Sequence, residues 1–245
     1  MASTAANLSL SEALAALYAT FSHQQLRQLP DACPCCITAA ENRVLFTAPL
    51  AGLKEAQLQR YAFKAMTTWG NAADFRYFLP RLLELSLRPD AEIEKETVFS
   101  KLELADWTSW PAAEQAAVRE VLLAWWAQHI QHECFFEEEV LGWLIRLLGT
   151  ISPLLQAWKP AALGWAFENL VRTVPNLNEL EHHIRTLNPA DATQHSMELR
   201  QWLGRQLPVL EADFFQEETR NEEFAQAISL AHNLVAALPA TGTPL

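Results

Sequence analysis

The chain has 245 residues, with 18 Lys or Arg against 29 Asp or Glu, which gives a formal net charge of −11 at neutral pH. Half of the residues are apolar and 19% are charged. Such a composition offsets the entropy of ordering the chain, so it excludes a disordered protein, a collagen-like fibre and a disulfide-stapled miniprotein. The acidic charge also argues against a nucleic-acid partner, because phosphate backbones are bound through clustered Lys and Arg.

The opening segment and the cysteines indicate a compartment. The first thirty residues lack the basic start and the unbroken apolar stretch of a secretory signal. Four cysteines, three of them within residues 33–36, are too few and too clustered for a disulfide framework. The longest apolar segment, residues 140–155, is interrupted by Arg146 and Pro153 and is shorter than a membrane span. We therefore expect a cytoplasmic protein without a membrane partner.

Helical signals begin near the start of the chain. Ser9 and Glu12 form the pattern of a capping box, which predicts the start of a first helix. Residues 41–50 are expected to be extended. A second helix is expected from near Leu53 to Thr68, followed by Gly70 as a left-handed cap.

The middle of the chain continues this pattern. Asp74 is a candidate N-cap for a helix over residues 75–85, and Pro80 is expected to break or kink that helix. Pro111 opens the next helix, in which apolar residues recur at helical spacing from Val118 to Trp126. These features predict helices with one buried stripe.

The second half of the chain repeats the helical spacing. Residues 140–148 carry another apolar stripe, and Thr219 with Glu222 forms a capping-box pattern ahead of the last helix. Roughly ten helices joined by short loops predict a single all-α domain over residues 1–245. Two architectures fit: an irregular array of antiparallel helix pairs resembling a HEAT-type solenoid, or a compact multi-helix bundle.

Three neighbouring motifs lie in the first third of the chain. Residues 33–36 read CPCC, residues 61–70 read YAFKAMTTWG, and residues 74–85 read DFRYFLPRLLEL. Together they resemble the signature of an uncharacterised family of bacterial proteins, over residues 30–87 or about a quarter of the chain. The resemblance implies no reaction, cofactor or partner, and no residue takes a role from it.

The cysteine cluster is the most suggestive motif for chemistry. Cys33 and Cys36 have the spacing that lets two thiolates bind one metal ion or form a redox pair. Zinc needs about four ligands, and the sequence has no second pair of the kind that zinc sites use. His132 and Cys134 are therefore the candidates to complete a metal site with Cys33 and Cys36. Plain loop thiols and redox chemistry remain alternatives.

Four further residues are candidates for binding a partner. The guanidinium groups of Arg76 and Arg81 suit a carboxylate, either of the protein itself or of a ligand. Trp107 and Trp110 flank a loop, where they either anchor a partner or cover the end of the core.

Motifs for nucleotide binding and for hydrolase catalysis are not found in the sequence. The favoured interpretation is a non-enzymatic helical protein without a cofactor that binds another protein. The alternative is a metal-binding or thiol-redox protein built on Cys33, Cys35 and Cys36, with zinc as its cofactor.

Overall fold

The computed structural model describes residues 8–26, 28–132, 137–161, 164–217 and 220–238. Within those ranges the chain is all-α with many helix–helix contacts, and β structure is limited to two isolated bridges made by Trp69. The predicted all-α fold is confirmed. Backbone contacts divide the chain into two compact units, Met1–Ala124 and Trp125–Leu245. The single domain, the HEAT-like array and the compact bundle all stay predictions.

The first unit has three helices that pack against one central helix. Its helices are α1 (Leu10–Phe21), α2 (Ala39–Val44), α3 (Glu55–Lys64), α4 (Ala72–Ser86), α5 (Lys95–Leu104) and the first part of α6 (Ala112–His132), with short 3-10 helices at Leu50–Gly52 and Trp107–Ser109. Helices α1, α3 and α5 contact α4. Phe75, Phe78, Leu79 and Leu82 of α4 are fully buried, and each contributes about 1.5–3 kcal/mol through burial of its side chain.

The second unit consists of the end of α6 and the helices that follow it. These are α7 (Glu138–Leu148), α8 (Ser152–Ala157), α9 (Trp165–Thr173), α10 (Leu177–Leu187), α11 (Ala192–Gly204), α12 (Leu207–Glu217) and α13 (Glu222–Ala236), with a 3-10 helix at Val174–Asn176. Helix α10 packs on α7, and α13 packs on α12. Gly142 permits the first of these contacts, because a Cβ there would lie 2.9 Å from Cδ1 of Leu187.

Local capping signals decide where the first two helices begin. The predicted capping box of Ser9 and Glu12 is present, and the Ser9 N–H donates to the Glu12 carboxylate at 2.9 Å. The expectation that residues 41–50 are extended is wrong, because α2 occupies their first part. Thr38 and Glu41 form a second capping box, which stabilises this short helix.

Helix α4 differs from its prediction at two positions. Asn71, not Asp74, is the N-cap: its side-chain oxygen accepts from the N–H of Ala73 at 2.8 Å, and Asp74 accepts from the Asn71 N–H at 2.9 Å. The helix also continues through Pro80, so the break expected as one of two alternatives does not occur, while the kink stays a prediction. Pro80 and the apolar residues beside it are buried, so packing stabilises the helix where the proline removes a hydrogen bond.

The longest apolar segment of the sequence folds as two helices. Gly149, with φ of 73°, caps α7, and its N–H donates to the Ile145 carbonyl at 2.7 Å. Helix α8 follows after Thr150 and Ile151. No helix in the described ranges is both long enough and apolar enough to cross a membrane.

The last helix begins one residue after its cap. Asn221 is the N-cap of α13, and its side-chain oxygen accepts from the Phe224 N–H at 3.1 Å. Glu222, expected inside a capping box, is the first residue of the helix. Thr219, the other member of that predicted box, lies outside the described residues.

Candidate metal centre

Residues 33–36 form a tight turn that holds three thiols. The Cys33 carbonyl accepts hydrogen bonds from the N–H groups of Cys36 at 3.0 Å and Ile37 at 2.9 Å. The ring of Pro34 restricts the backbone inside the turn. Cys35 is exposed, whereas Cys33 and Cys36 are half-buried. The cysteines are therefore accessible from solvent while their backbone is fixed by hydrogen bonds.

The three sulfur atoms lie close enough to bind one ion. The Cys33 and Cys35 sulfurs are 2.8 Å apart, the Cys35 and Cys36 sulfurs 3.6 Å, and all three lie within 4.8 Å of one another. Sulfurs bound to one Zn²⁺ at about 2.3 Å stand roughly 3.8 Å apart. On binding one zinc ion, the Cys33 and Cys35 sulfurs would therefore move about 1 Å apart from their present separation of 2.8 Å. In the described part of the chain, no other group of three potential ligands is as close.

The thiols change one another's acidity. The hydrogen bond from the Cys35 thiol lowers the pKa of Cys33. The same bond to Cys33, with a weaker contribution from Cys36, raises the pKa of Cys35 to about 11. Since the thiolate is the metal ligand, binding of an ion here releases protons from the thiols.

A distant loop anchors the cysteine segment. The Cys33 N–H donates to the Thr68 carbonyl at 2.9 Å, and the Gly70 N–H donates to the Asp31 carbonyl at 2.6 Å. Between these bonds, Ala32 forms an antiparallel bridge with Trp69. The CPCC motif and the W-G motif of the sequence are therefore one structural unit. Sequence reasoning placed both motifs in one signature but did not predict their contact.

This loop exists because α3 ends early. The helix expected to reach Thr68 stops at Lys64, whose carbonyl accepts from the N–H groups of Thr68 at 3.1 Å and Trp69 at 3.2 Å. Met66 adopts the left-handed region with φ of 61°, and its N–H donates to the Trp69 carbonyl at 3.0 Å. The prediction is wrong because pairing of Trp69 with the cysteine segment replaces the last turn of the helix.

Gly70 has no space for a side chain. Its φ is +68°, and a Cβ there would lie 2.8 Å from a carboxylate oxygen of Asp74 and 3.2 Å from Cβ of Pro30. Pro30 is held in turn by the Asn42 amide, which donates to the Pro30 carbonyl at 2.8 Å. Asn42 also accepts from the indole N–H of Trp69 at 2.8 Å. Glycine at this position therefore allows the loop to approach the segment that leads into the cysteine turn.

Arg60 supports the turn from α3. Its Nη2 donates to the Cys36 carbonyl at 2.8 Å, and its Nη1 lies 2.6 Å from a carboxylate oxygen of Glu41. Sequence reasoning missed Arg60, because nothing in the spacing of residues 36 and 60 indicates contact. A backbone carbonyl held in this way orients the Cys36 residue toward the other two thiols.

The other two predicted metal ligands, His132 and Cys134, stay predictions. His132 is exposed at the end of α6 and belongs to the second unit. Cys134 lies outside the described residues. The structure places the sulfurs of Cys33, Cys35 and Cys36 in one group, so Cys35 is a third potential ligand beside the two that the spacing suggested.

The two candidate arginines hold carboxylates of the protein. Arg76 donates through Nε at 3.1 Å and Nη2 at 2.6 Å to Glu114, whose side chain is only 2% exposed. Arg81 donates to Glu84 at 2.7 Å and to the Leu53 carbonyl at 2.8 Å. Of the two interpretations that the sequence left open, these contacts correspond to the one in which the arginines bind carboxylates of the protein itself.

The two candidate tryptophans are buried. Trp107 is 2% exposed and Trp110 is 6% exposed. The Trp110 indole N–H donates to the Ala105 carbonyl at 3.1 Å, and its ring meets Phe21 edge-on at 6.0 Å. Such burial corresponds to the alternative in which these side chains cover the core.

Comparison with known proteins yields no relative: no family model matches the chain, and no curated protein or solved structure matches it significantly. The resemblance over residues 30–87 therefore stays a prediction. Any functional conclusion rests on the geometry of the cysteine turn.

Proposed function

We propose that this protein binds a thiophilic metal ion, with zinc as the natural candidate, through the thiolates of Cys33, Cys35 and Cys36. The single observation that supports the proposal is the approach of three sulfur atoms to within 4.8 Å of one another. Thiolates are the soft ligands that zinc binds strongly. The free state of these cysteines suits the reducing cytoplasm, where we propose that the protein works.

The backbone of the cysteine turn is held in place by hydrogen bonds, which favours a metal site over a chance grouping of thiols. The turn is closed by hydrogen bonds to the Cys33 carbonyl, and its start is tied to Thr68. Arg60 fixes its end through the Cys36 carbonyl. Because these hydrogen bonds within the protein order the backbone of the turn, little conformational entropy is lost when the thiolates bind. Supporting residues of this kind tune metal affinity by about 10–100-fold.

We expect serine at any one of the three positions to lower zinc affinity by at least about 100-fold, because a hydroxyl is a poor substitute for a thiolate. Competition between the full-length protein and a chromophoric chelator, under a phosphine reductant, measures this affinity. Wild type should bind one zinc per chain. Cys134→Ser removes the one other thiol of the chain, which the sequence offered as a fourth ligand; if the three thiols of the turn bind the ion by themselves, this variant keeps the wild-type affinity.

Circular dichroism of each variant checks that the helices are retained, as expected for substitutions of exposed or half-buried side chains in a turn outside the helices. Occupancy below about 0.2 zinc per wild-type chain contradicts the proposal. So does unchanged affinity in a variant that lacks both Cys33 and Cys35.

The 2.8 Å separation of the Cys33 and Cys35 sulfurs favours a second candidate function, thiol–disulfide exchange. A small-molecule disulfide would accept two electrons and two protons from the two thiols, becoming two thiols while a Cys33–Cys35 disulfide forms. Equilibration with glutathione redox buffers, followed by mass measurement of the alkylated protein, tests this function. A midpoint potential close to that of the cytoplasmic glutathione pool would support reversible exchange. A midpoint potential far below it would mean that the Cys33–Cys35 disulfide stays oxidised, which contradicts reversible exchange.

Binding of another protein, the function favoured by the sequence, stays a prediction. Its four candidate residues, Arg76, Arg81, Trp107 and Trp110, contact other residues of the first unit.

A further inference from the structure

We propose that the metal bound by the cysteine turn keeps one coordination position for a thiolate from outside the chain. This inference rests on the proposed metal binding and adds the chemical class of the ligand, a thiol. The thiol is either a small molecule or a cysteine of a second copy of the chain, and the two sources are separated by the experiment below.

The shape of the turn determines where the open position points. All three sulfurs come from residues 33–36, which span at most about 11 Å even when fully extended. In the structure this segment is shorter still, because the Cys36 N–H donates to the Cys33 carbonyl and closes the turn. The three ligands therefore bind the ion from one side. Cys35, at the tip, is exposed. The fourth position of a tetrahedral ion then faces away from the turn and toward solvent.

The number of ligands supports the same conclusion. Among the described residues, the cysteine turn offers three potential ligands for the ion, and no fourth is grouped with them. Zinc sites with three protein ligands and an open fourth position are the type that exchanges water or substrate, whereas structural sites are closed by four protein ligands. A turn that supplies three thiolates belongs to the first type.

The donor set selects what enters that position. Three thiolates place three negative charges on a divalent ion, which weakens its ability to acidify a bound water molecule. The soft character of the site then favours a fourth sulfur over oxygen. When a thiol replaces the water, its S–H bond breaks, a metal–sulfur bond forms, the proton passes to solvent and the water leaves. The bound sulfur stays deprotonated at neutral pH, which is the reactive state of a thiol.

Cobalt(II) provides a probe that counts thiolates. Full-length wild type and Cys134→Ser are loaded with one equivalent of Co²⁺, and the thiolate-to-cobalt charge-transfer absorption is recorded before and after addition of 2-mercaptoethanol. We expect both proteins to begin at the three-thiolate intensity and to rise by about one third when the fourth thiolate binds.

Two results overturn the inference while leaving metal binding intact. The first is a four-thiolate spectrum before addition of the thiol that falls by about one quarter in Cys134→Ser, since Cys134 would then supply the fourth ligand. The second is a three-thiolate intensity that stays level when the thiol is added, or that falls because the thiol removes the cobalt. If no charge-transfer band forms at all, the proposed metal binding itself fails.

Sedimentation of the same samples identifies the source of the thiolate. An unchanged mass, with the rise seen only after 2-mercaptoethanol, assigns the position to a small thiol. If the mass doubles when cobalt is added and the four-thiolate intensity is present without added thiol, the fourth ligand is a cysteine of a second copy. This assignment also requires that Cys134→Ser behaves as wild type.

Discussion

Replacing Arg76 by alanine lowers the free energy of unfolding by about 3–5 kcal/mol, because it leaves a buried carboxylate without its cation. Glu114 is 1% exposed, and Arg76 donates two hydrogen bonds to one of its carboxylate oxygens. The other oxygen accepts from the Gln24 amide at 3.0 Å and lies 3.2 Å from Nε2 of His23, but the His23 side chain is 61% exposed and does not replace the buried guanidinium. The Arg76 guanidinium also stacks 5.0 Å from the Trp110 ring, so its removal loses packing as well. Urea denaturation followed by circular dichroism measures the change.

Arg88→Ala is the matched control for this prediction. Arg88 also forms an ion pair, with Glu55 at 2.6 Å, but its side chain is 44% exposed. Glu55 keeps hydrogen bonds from the N–H groups of Glu92 and Ile93. We expect a loss of about 1 kcal/mol or less. Equal losses in Arg76→Ala and Arg88→Ala would contradict the central role of the buried pair.

A second variant separates buried charge from lost packing. Glu114→Gln in the Arg76→Ala background removes the unpaired charge and keeps an oxygen for the Gln24 amide. We expect this double variant to be more stable than Arg76→Ala alone. If the loss of stability in the double variant equals the sum of the losses in Arg76→Ala and Glu114→Gln, the buried charge of Glu114 is not the cause of the loss in Arg76→Ala.

Gly70→Ala should affect both stability and metal binding. An alanine at φ of +68° costs about 1–2 kcal/mol, and its Cβ would also meet an oxygen of Asp74 at 2.8 Å. We expect a total loss of about 2–3 kcal/mol. Because the Gly70 N–H bonds the carbonyl of Asp31, two residues before Cys33, we also expect zinc affinity to fall about tenfold.

Gly149→Ala is the control for the backbone contribution alone. Gly149 has a similar φ of +73°, but nothing lies within 4 Å of the Cβ it would gain. The expected loss is about 1 kcal/mol, with no change in zinc affinity. Thermal unfolding and chelator competition on both variants provide the comparison. Equal effects of the two substitutions would show that the close approach of Asp74 and Pro30 to Gly70 does not matter.

The helical architecture was predictable because its signals are local. Capping boxes depend on residues three apart, and the box at Ser9 and Glu12 is found where the sequence indicates it. Thr38 and Glu41 carry the same signal, directly beside the segment expected to be extended. Pro80 shows the opposite case, in which tertiary packing overrides a local breaker.

The candidate site was predictable only in part. The spacing of Cys33 and Cys36 indicates a pair of ligands, and Cys35 joins them because the turn is tight. The contacts of Cys33 with Thr68 and of Cys36 with Arg60 join residues far apart in sequence. Such contacts follow from tertiary packing, so no pattern within a single segment reveals them.

Zinc K-edge X-ray absorption of the full-length protein, loaded with one equivalent of zinc and free of added thiol, tests the role of the cysteine turn most directly. We predict three sulfur neighbours at about 2.3 Å and one oxygen from water. A shell made mainly of nitrogen and oxygen, or one that is unchanged when Cys33, Cys35 and Cys36 are all replaced by serine, would contradict metal binding by these thiolates.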